Sequence, residues 1–200
     1  MTELIPDYRN RVAYFVSIIF HPFVIALPTL LAVLDEMPLS EAISWTALIF
    51  TVIVAPLAAS LILLRRHGKY AYQRQVRVPI YIIAWTSVLL CLVLTLGLHA
   101  PTVLVACMAA LALWIPLQFA VNTWVTKVSI HTAVVTGCVL GLLLLGDLPS
   151  PLLKGLAVGV VLITAWARMV TRHHTFEQVL LGILVGALPV LVIFPLLLRG

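Results

Sequence analysis

Seven stretches of about 17 to 25 largely apolar residues run through this chain, at roughly 12–34, 42–64, 79–98, 102–121, 130–146, 151–170 and 175–198. About 20 such residues are what an α-helix needs to cross the hydrocarbon core of a bilayer. Lipid offers no water to unpaired peptide groups, so a spanning chain is either helical or a closed β-barrel. Barrel strands alternate apolar and polar positions, whereas these runs are continuous. The reading is therefore an all-α, polytopic transmembrane helical bundle of about six or seven spans, forming one domain over 1–200. Composition agrees: 10% of the 200 residues are charged and 63% hydrophobic, where a soluble domain has about 25% charged.

An apolar first run longer than a signal-peptide core reads as an uncleaved first span, with the mature chain beginning near Met1. Pro22, Pro28, Pro56, Pro116, Pro189 and Pro195 fall inside spans, and membrane helices tolerate proline where neighbours satisfy the freed carbonyls, so kinks rather than breaks are expected. Gly137/Gly141 and Gly182/Gly186 are small-xxx-small pairs that let helices approach closely. Cys91, Cys107 and Cys138 lie singly in apolar runs and read as small core residues.

An odd span count puts the termini on opposite sides. Arg9, Arg11, Arg65, Arg66, Lys69, Arg74, Arg77, Lys127, Arg168 and Arg172 then share the N-terminal side, leaving Lys154 and Arg199 on the other. The positive-inside rule places the N-terminus in the cytoplasm of a multi-pass protein, with the plasma membrane as the expected site. Setting aside cations that could hold a ligand leaves the same orientation. A net charge of +5 in so apolar a chain points to cytoplasmic loops or anionic lipids as partners, and away from nucleic acid.

Polar residues concentrate in three segments: KYAYQRQVRVP (69–79), TKVSIH (126–131) and ARMVTRHHTFEQ (167–178). The expected topology puts all three at one membrane face. Several cations together with His131, His173 and His174 at the mouth of an apolar bundle are what a phosphate group on a lipid tail needs. If 174–178 opens a helix, His174 and Gln178 stand one turn apart, so that the amide can orient the imidazole while Arg168 reaches the same anion.

The run Arg168-x5-His174-x3-Gln178, followed by an apolar helix with spaced glycines, resembles the third signature of the type 2 phosphatidic acid phosphatase (PAP2) superfamily, in which an Asp stands where Gln178 does. Val128-Ser129-Ile130-His131 resembles its second signature, Pro-Ser-Gly-His, keeping Ser and His. Lys69, Arg74 and Arg77 before Val78-Pro79 match the first signature loosely, which leaves the choice among the three cations open. The resemblance covers residues 69 to 186, and about 50 residues part the first two signatures, more than in compact members of the family, so the chain is read as a divergent branch.

That resemblance implies a PAP2-like core and metal-independent hydrolysis of a lipid phosphate or isoprenoid diphosphate, with no cofactor. His174 would be the nucleophile, His131 would protonate the departing oxygen, and Lys69, Arg74, Arg77, Lys127 and Arg168 with Ser129 would bind the phosphoryl oxygens. Phosphoryl transfer asks mainly for positioning and charge stabilisation, which a cationic pocket supplies. Gln178 can accept a ring N–H but cannot neutralise an imidazolium; Glu177, next to it, is the candidate acid for compensation. His173 is chemically equal to His174, and only the Arg-x5-His register separates them.

Other readings stand beside this one. The same pocket without the chemistry is a lipid-phosphate binding or translocating protein, and a further class, other prenyl-diphosphate chemistry, lacks an acid-rich Mg²⁺ motif here. A zinc site from His131, His174 and Glu177 is disfavoured by the surrounding cations. Arg9, Arg11, Arg65 and Arg66 read as topology determinants, and His21 and His99 as packing or interface residues.

Overall fold

The structure is a computed structural model that describes residues 8–35, 37–67 and 74–198, with the side chains of 74–77 outside that description. Among the described residues every regular element is helical: α1 (Tyr8–Ile19), α2 (Pro22–Val33), α3 (Leu39–Ile49), a π-helical turn (Phe50–Val54), α4 (Ala55–Arg66), α5 (Arg74–Gly97), α6 (Thr102–Trp124), α7 (Ile130–Leu145), α8 (Pro151–Val170) and α9 (Phe176–Leu198). Among the described residues five spans are long and apolar enough to cross a membrane, one of them the continuous run Leu39–Arg66; α1 with α2 makes a sixth if counted as one. The fifth expected span, 130–146, is the shorter apolar helix Ile130–Leu145. Its 16 residues rise about 24 Å. Both its ends are fixed, by a serine cap at Ser129 and by Gly146 in the left-handed conformation, φ 89°.

The prolines differ in effect. Pro28 and Pro116 lie within continuous helices, as expected, and so does Pro79. At Pro22 the expectation of a mere kink is corrected: α1 and α2 are separate helices bent by 42°. The residue before a proline is pushed away from α geometry, and here that residue, His21, caps α2 with both its carbonyl and its ring. At Pro56 the ladder adapts instead, with a π-helical turn over Phe50–Val54 in which Ala55 N–H reaches back to Phe50 O.

The chain divides into two compact units, residues 1–32 with 120–191 and residues 33–119 with 192–200. In the second, α4 packs on α5, and α5 meets α6 through Tyr81 and Phe119, whose rings lie 5.3 Å apart and edge-on. Trp85 Nε1–H donates to Ala112 O at 2.9 Å. Ala112 is four residues before Pro116, so this carbonyl is the one that the proline leaves without a helical donor.

In the first unit α1 packs on α8 around Ala13, Val16 and Ala167, and α8 also packs on α7. Helices α7 and α9 run in parallel and nearly touch. A Cβ on Gly186 would strike the Ala133 backbone, one on Gly182 would strike Thr132 Oγ1, and one on Gly137 would come within 3.3 Å of Gly186 O. The spaced glycines thus do what their spacing suggests. Where lipid removes any hydrophobic drive between helices, such close approach lets dispersion and weak contacts hold the pair. Ser129 N–H to Gln178 O at 3.3 Å and Thr132 Oγ1 to Val179 O at 3.4 Å fix the register, which brings the N-termini of both helices side by side.

Candidate functional site at the helix ends

Helix α8 ends on Thr171, and Arg172 then adopts φ 54°. A non-glycine residue in the left-handed region costs about 1–3 kcal/mol, and its effect is to fold the chain back so that His173 and His174 both direct their N–H groups to Arg168 O, at 3.2 and 3.3 Å. His174 therefore lies over the last turn of α8, beside Arg168.

The next residues open α9 with a reciprocal cap. Gln178 N–H donates to Thr175 Oγ1 and Thr175 N–H donates to Gln178 Oε1, each at 3.4 Å, the Thr-x-x-Gln capping box. Gln178 Nε2 donates to Thr126 Oγ1 at 3.3 Å, which ties the 126–131 segment to the cap. Because a backbone N–H is always a donor, its bond to Oε1 assigns the amide orientation. Gln178 Oε1 also lies 3.2 Å from His174 Nδ1, so Nδ1 must carry the proton and Nε2 the lone pair.

Burial, then the charges of Lys127 and Arg168, push the His174 imidazole down to about 4 from 6.5, against an upward pull from the Gln178 bond. Near neutrality His174 is thus a free base with a fixed tautomer. Arg168 is partly buried, and its Nε is buried with no hydrogen-bond partner. Lys127 Nζ donates to His173 O at 3.2 Å. With the positive ends of α7 and α9 adjoining, each equivalent to about half a charge, the cluster gathers positive charge of the kind that anions meet at helix N-termini.

The segments 126–131 and 167–178 are brought together as the sequence suggested. His131, one residue into α7, lies edge-on to the ring of His21, which the sequence reading takes as a packing or interface residue: the two centroids are 5.1 Å apart with planes at 88°. Ser129 is fully buried and accepts Thr132 N–H at 3.4 Å, so its hydroxyl oxygen holds the start of α7. Glu177 is exposed, and Nδ1 of His174 is taken by Gln178, so the neighbouring acid does not supply the missing charge on that nitrogen. Lys69 lies outside the described residues, while Arg74 and Arg77 stand in the first turn of α5 with side chains outside that description.

Sequence reasoning missed the capping box and the part Thr126 plays in it, which were visible as Thr175-x-x-Gln178 with a nearby hydroxyl; His21, read as a packing or interface residue, carries no local signal that places it against His131. Among the described residues no group of three or more His, Cys, Asp or Glu side chains is arranged to hold a metal ion. Comparison of the chain with protein-family models, with curated proteins and with solved structures gives no match.

Proposed function

We propose that this chain is a PAP2-like, metal-independent membrane phosphatase that hydrolyses a lipid phosphate or an isoprenoid diphosphate through a phosphohistidine on His174. The observation that carries the reading is a neutral imidazole whose Nδ1–H is held by Gln178, leaving Nε2 as a free base, within the field of an arginine whose buried Nε lacks a partner. Nε2 attacks phosphorus and the bond to the leaving oxygen breaks, with His131 giving that oxygen a proton that the ring takes up when the anionic phosphate binds beside it. Water then attacks the phosphohistidine, returns a proton to His131 and releases phosphate. Arg168 and Lys127 offset charge on the phosphoryl oxygens, an electrostatic contribution that needs no rearrangement during the step. Lys69, Arg74 and Arg77 come into this reading only through the sequence resemblance.

The site stands where apolar helices end, so a substrate can leave its tail in the bilayer while its headgroup meets the cluster. The loop charges favour a cytoplasmic site and N-terminus in the plasma membrane. The test is phosphate release by protein purified in detergent, with EDTA present, from phosphatidic acid, phosphatidylglycerol phosphate and short and long prenyl diphosphates. Release that survives EDTA and vanishes in His174→Ala is expected; release unchanged in that variant would refute the reading.

One observation favours a second reading. Gln178 already serves as a helix cap and, being neutral, cannot stabilise a cationic imidazole, which suits a protein that binds or translocates a lipid phosphate without cleaving it. Binding of these lipids with no release from any of them would select that reading.

A further inference from the structure

His21 lies in the two-residue break between α1 and α2, where Val24 and Ile25 N–H groups donate to its carbonyl at 2.8 and 3.0 Å. Phe23 N–H donates to its Nδ1 at 3.4 Å. That bond makes Nδ1 an acceptor, so the neutral ring carries its proton on Nε2. The Phe23 ring stacks on it at 5.6 Å and 25°, which fixes the imidazole plane from one side. His131 meets it at right angles at 5.1 Å.

The break is held against the site by packing on the helix that carries Arg168. Ala13 and Val16 of α1 lie against Ala167, with Phe20, next to His21, on the same cluster. The charged and titratable groups whose fields reach His131 are Arg168 on α8, His173 and His174 in the following loop, and His21 itself; Arg168 also acts on His21. Among the described residues the His131 ring has no hydrogen-bond partner, so its orientation rests on packing. Capping alone does not account for an imidazole at position 21, because Asn or Ser is the usual residue for that task.

We infer that His21 is a positioning residue for His131, holding the plane of the imidazole that protonates the leaving group. This rests on the phosphatase reading above. A positioned acid matters in proportion to how badly the leaving oxygen needs a proton, and such catalysis contributes about 10²–10⁴ in rate. An alkyl phosphate, which leaves as an alkoxide unless protonated, depends on it; a nitrophenyl phosphate, whose phenolate leaves unaided, does not.

The experiment compares a long-chain alkyl phosphate with an alkylated nitrophenyl phosphate in wild type, His21→Asn, His131→Ala and the variant that carries both changes. Asn preserves a side-chain acceptor for Phe23 N–H and hence the helix break. The ratio of alkyl to nitrophenyl turnover is expected to fall at least about tenfold in His21→Asn, and the double variant to be no worse than His131→Ala alone. An unchanged ratio in His21→Asn, whether both rates hold or both fall together, would overturn the inference while leaving the phosphatase reading standing. Absence of release by the wild type would overturn that reading and this inference with it.

Discussion

The amide oxygen of Gln178 lies 3.2 Å from His174 Nδ1, and since the same oxygen also accepts Thr175 N–H, one residue sets both the start of α9 and the tautomer of the candidate nucleophile. The helix cap and the chemistry are therefore coupled. Changing position 178 without losing the cap requires a side chain of the same reach.

Gln178→Glu provides it. The Thr-x-x-Glu sequence is also a capping box, and it adds a carboxylate against Nδ1. Phosphate release should rise by about tenfold or more, given that loss of the equivalent charge in serine proteases costs about 10⁴. Gln178→Leu should lose release and lower stability by about 1 kcal/mol, the usual effect of removing a cap. Thermal unfolding beside the release assay separates the two effects.

Arg168→Met should raise the unfolding temperature of the lipid-free protein and abolish release. Burying a guanidinium nitrogen without a partner opposes folding, and apolar replacements of buried charges are often stabilising by about 1–4 kcal/mol. A lower unfolding temperature would mean that Arg168 has a structural role instead.

Acid should destabilise the fold through His174. Its folded value of about 4 is below the free value of 6.5, so the unfolded chain binds the extra proton between those two pH values. The contribution is complete above 6.5 and is lost as pH falls towards 4. Between pH 7 and 5 the wild type should therefore lose more thermal stability than His174→Asn; equal losses would place the ring in water.

Gly186→Ala should destabilise the α7–α9 pair by about 1–3 kcal/mol, the usual range for overpacking, because the new Cβ meets the Ala133 backbone. Gly159→Ala in α8 has nothing within 4 Å and should be neutral or stabilising by up to about 1 kcal/mol. Unfolding of both variants in one detergent gives the comparison.

Trp85→Phe should cost about 1 kcal/mol, the net worth of one hydrogen bond. That cost should shrink when Pro116→Ala restores a helical N–H to Ala112 O. A double-mutant cycle on unfolding measures the coupling, and strict additivity would mean that the indole does not serve the carbonyl freed by Pro116.

The helices were legible as apolar runs because lipid allows the backbone few alternatives. The break at Pro22 was not: the same residue type remains inside helices at Pro28, Pro79 and Pro116, and what decides between kink and break lies around it, here a histidine able to cap with its ring. In the site, the spacing from Arg168 to His174 could be read, but the left-handed turn at Arg172 that returns one to the other could not, since arginine has no preference for it. Thr175 and Gln178 were visible as a pair, with the amide assigned only to the imidazole. His21 lies far from the motifs along the chain, and only the packing of α1 on α8 carries it to His131.

The account stands or falls on whether His174 becomes phosphorylated. Turnover of a lipid phosphate by the purified protein, quenched in alkali and digested for mass spectrometry, should yield phosphate on the peptide carrying Arg172 to Gln178, located on His174 and lost when the peptide is treated with acid. Hydrolysis with no phosphorylated histidine, or with the group on His173, would contradict it.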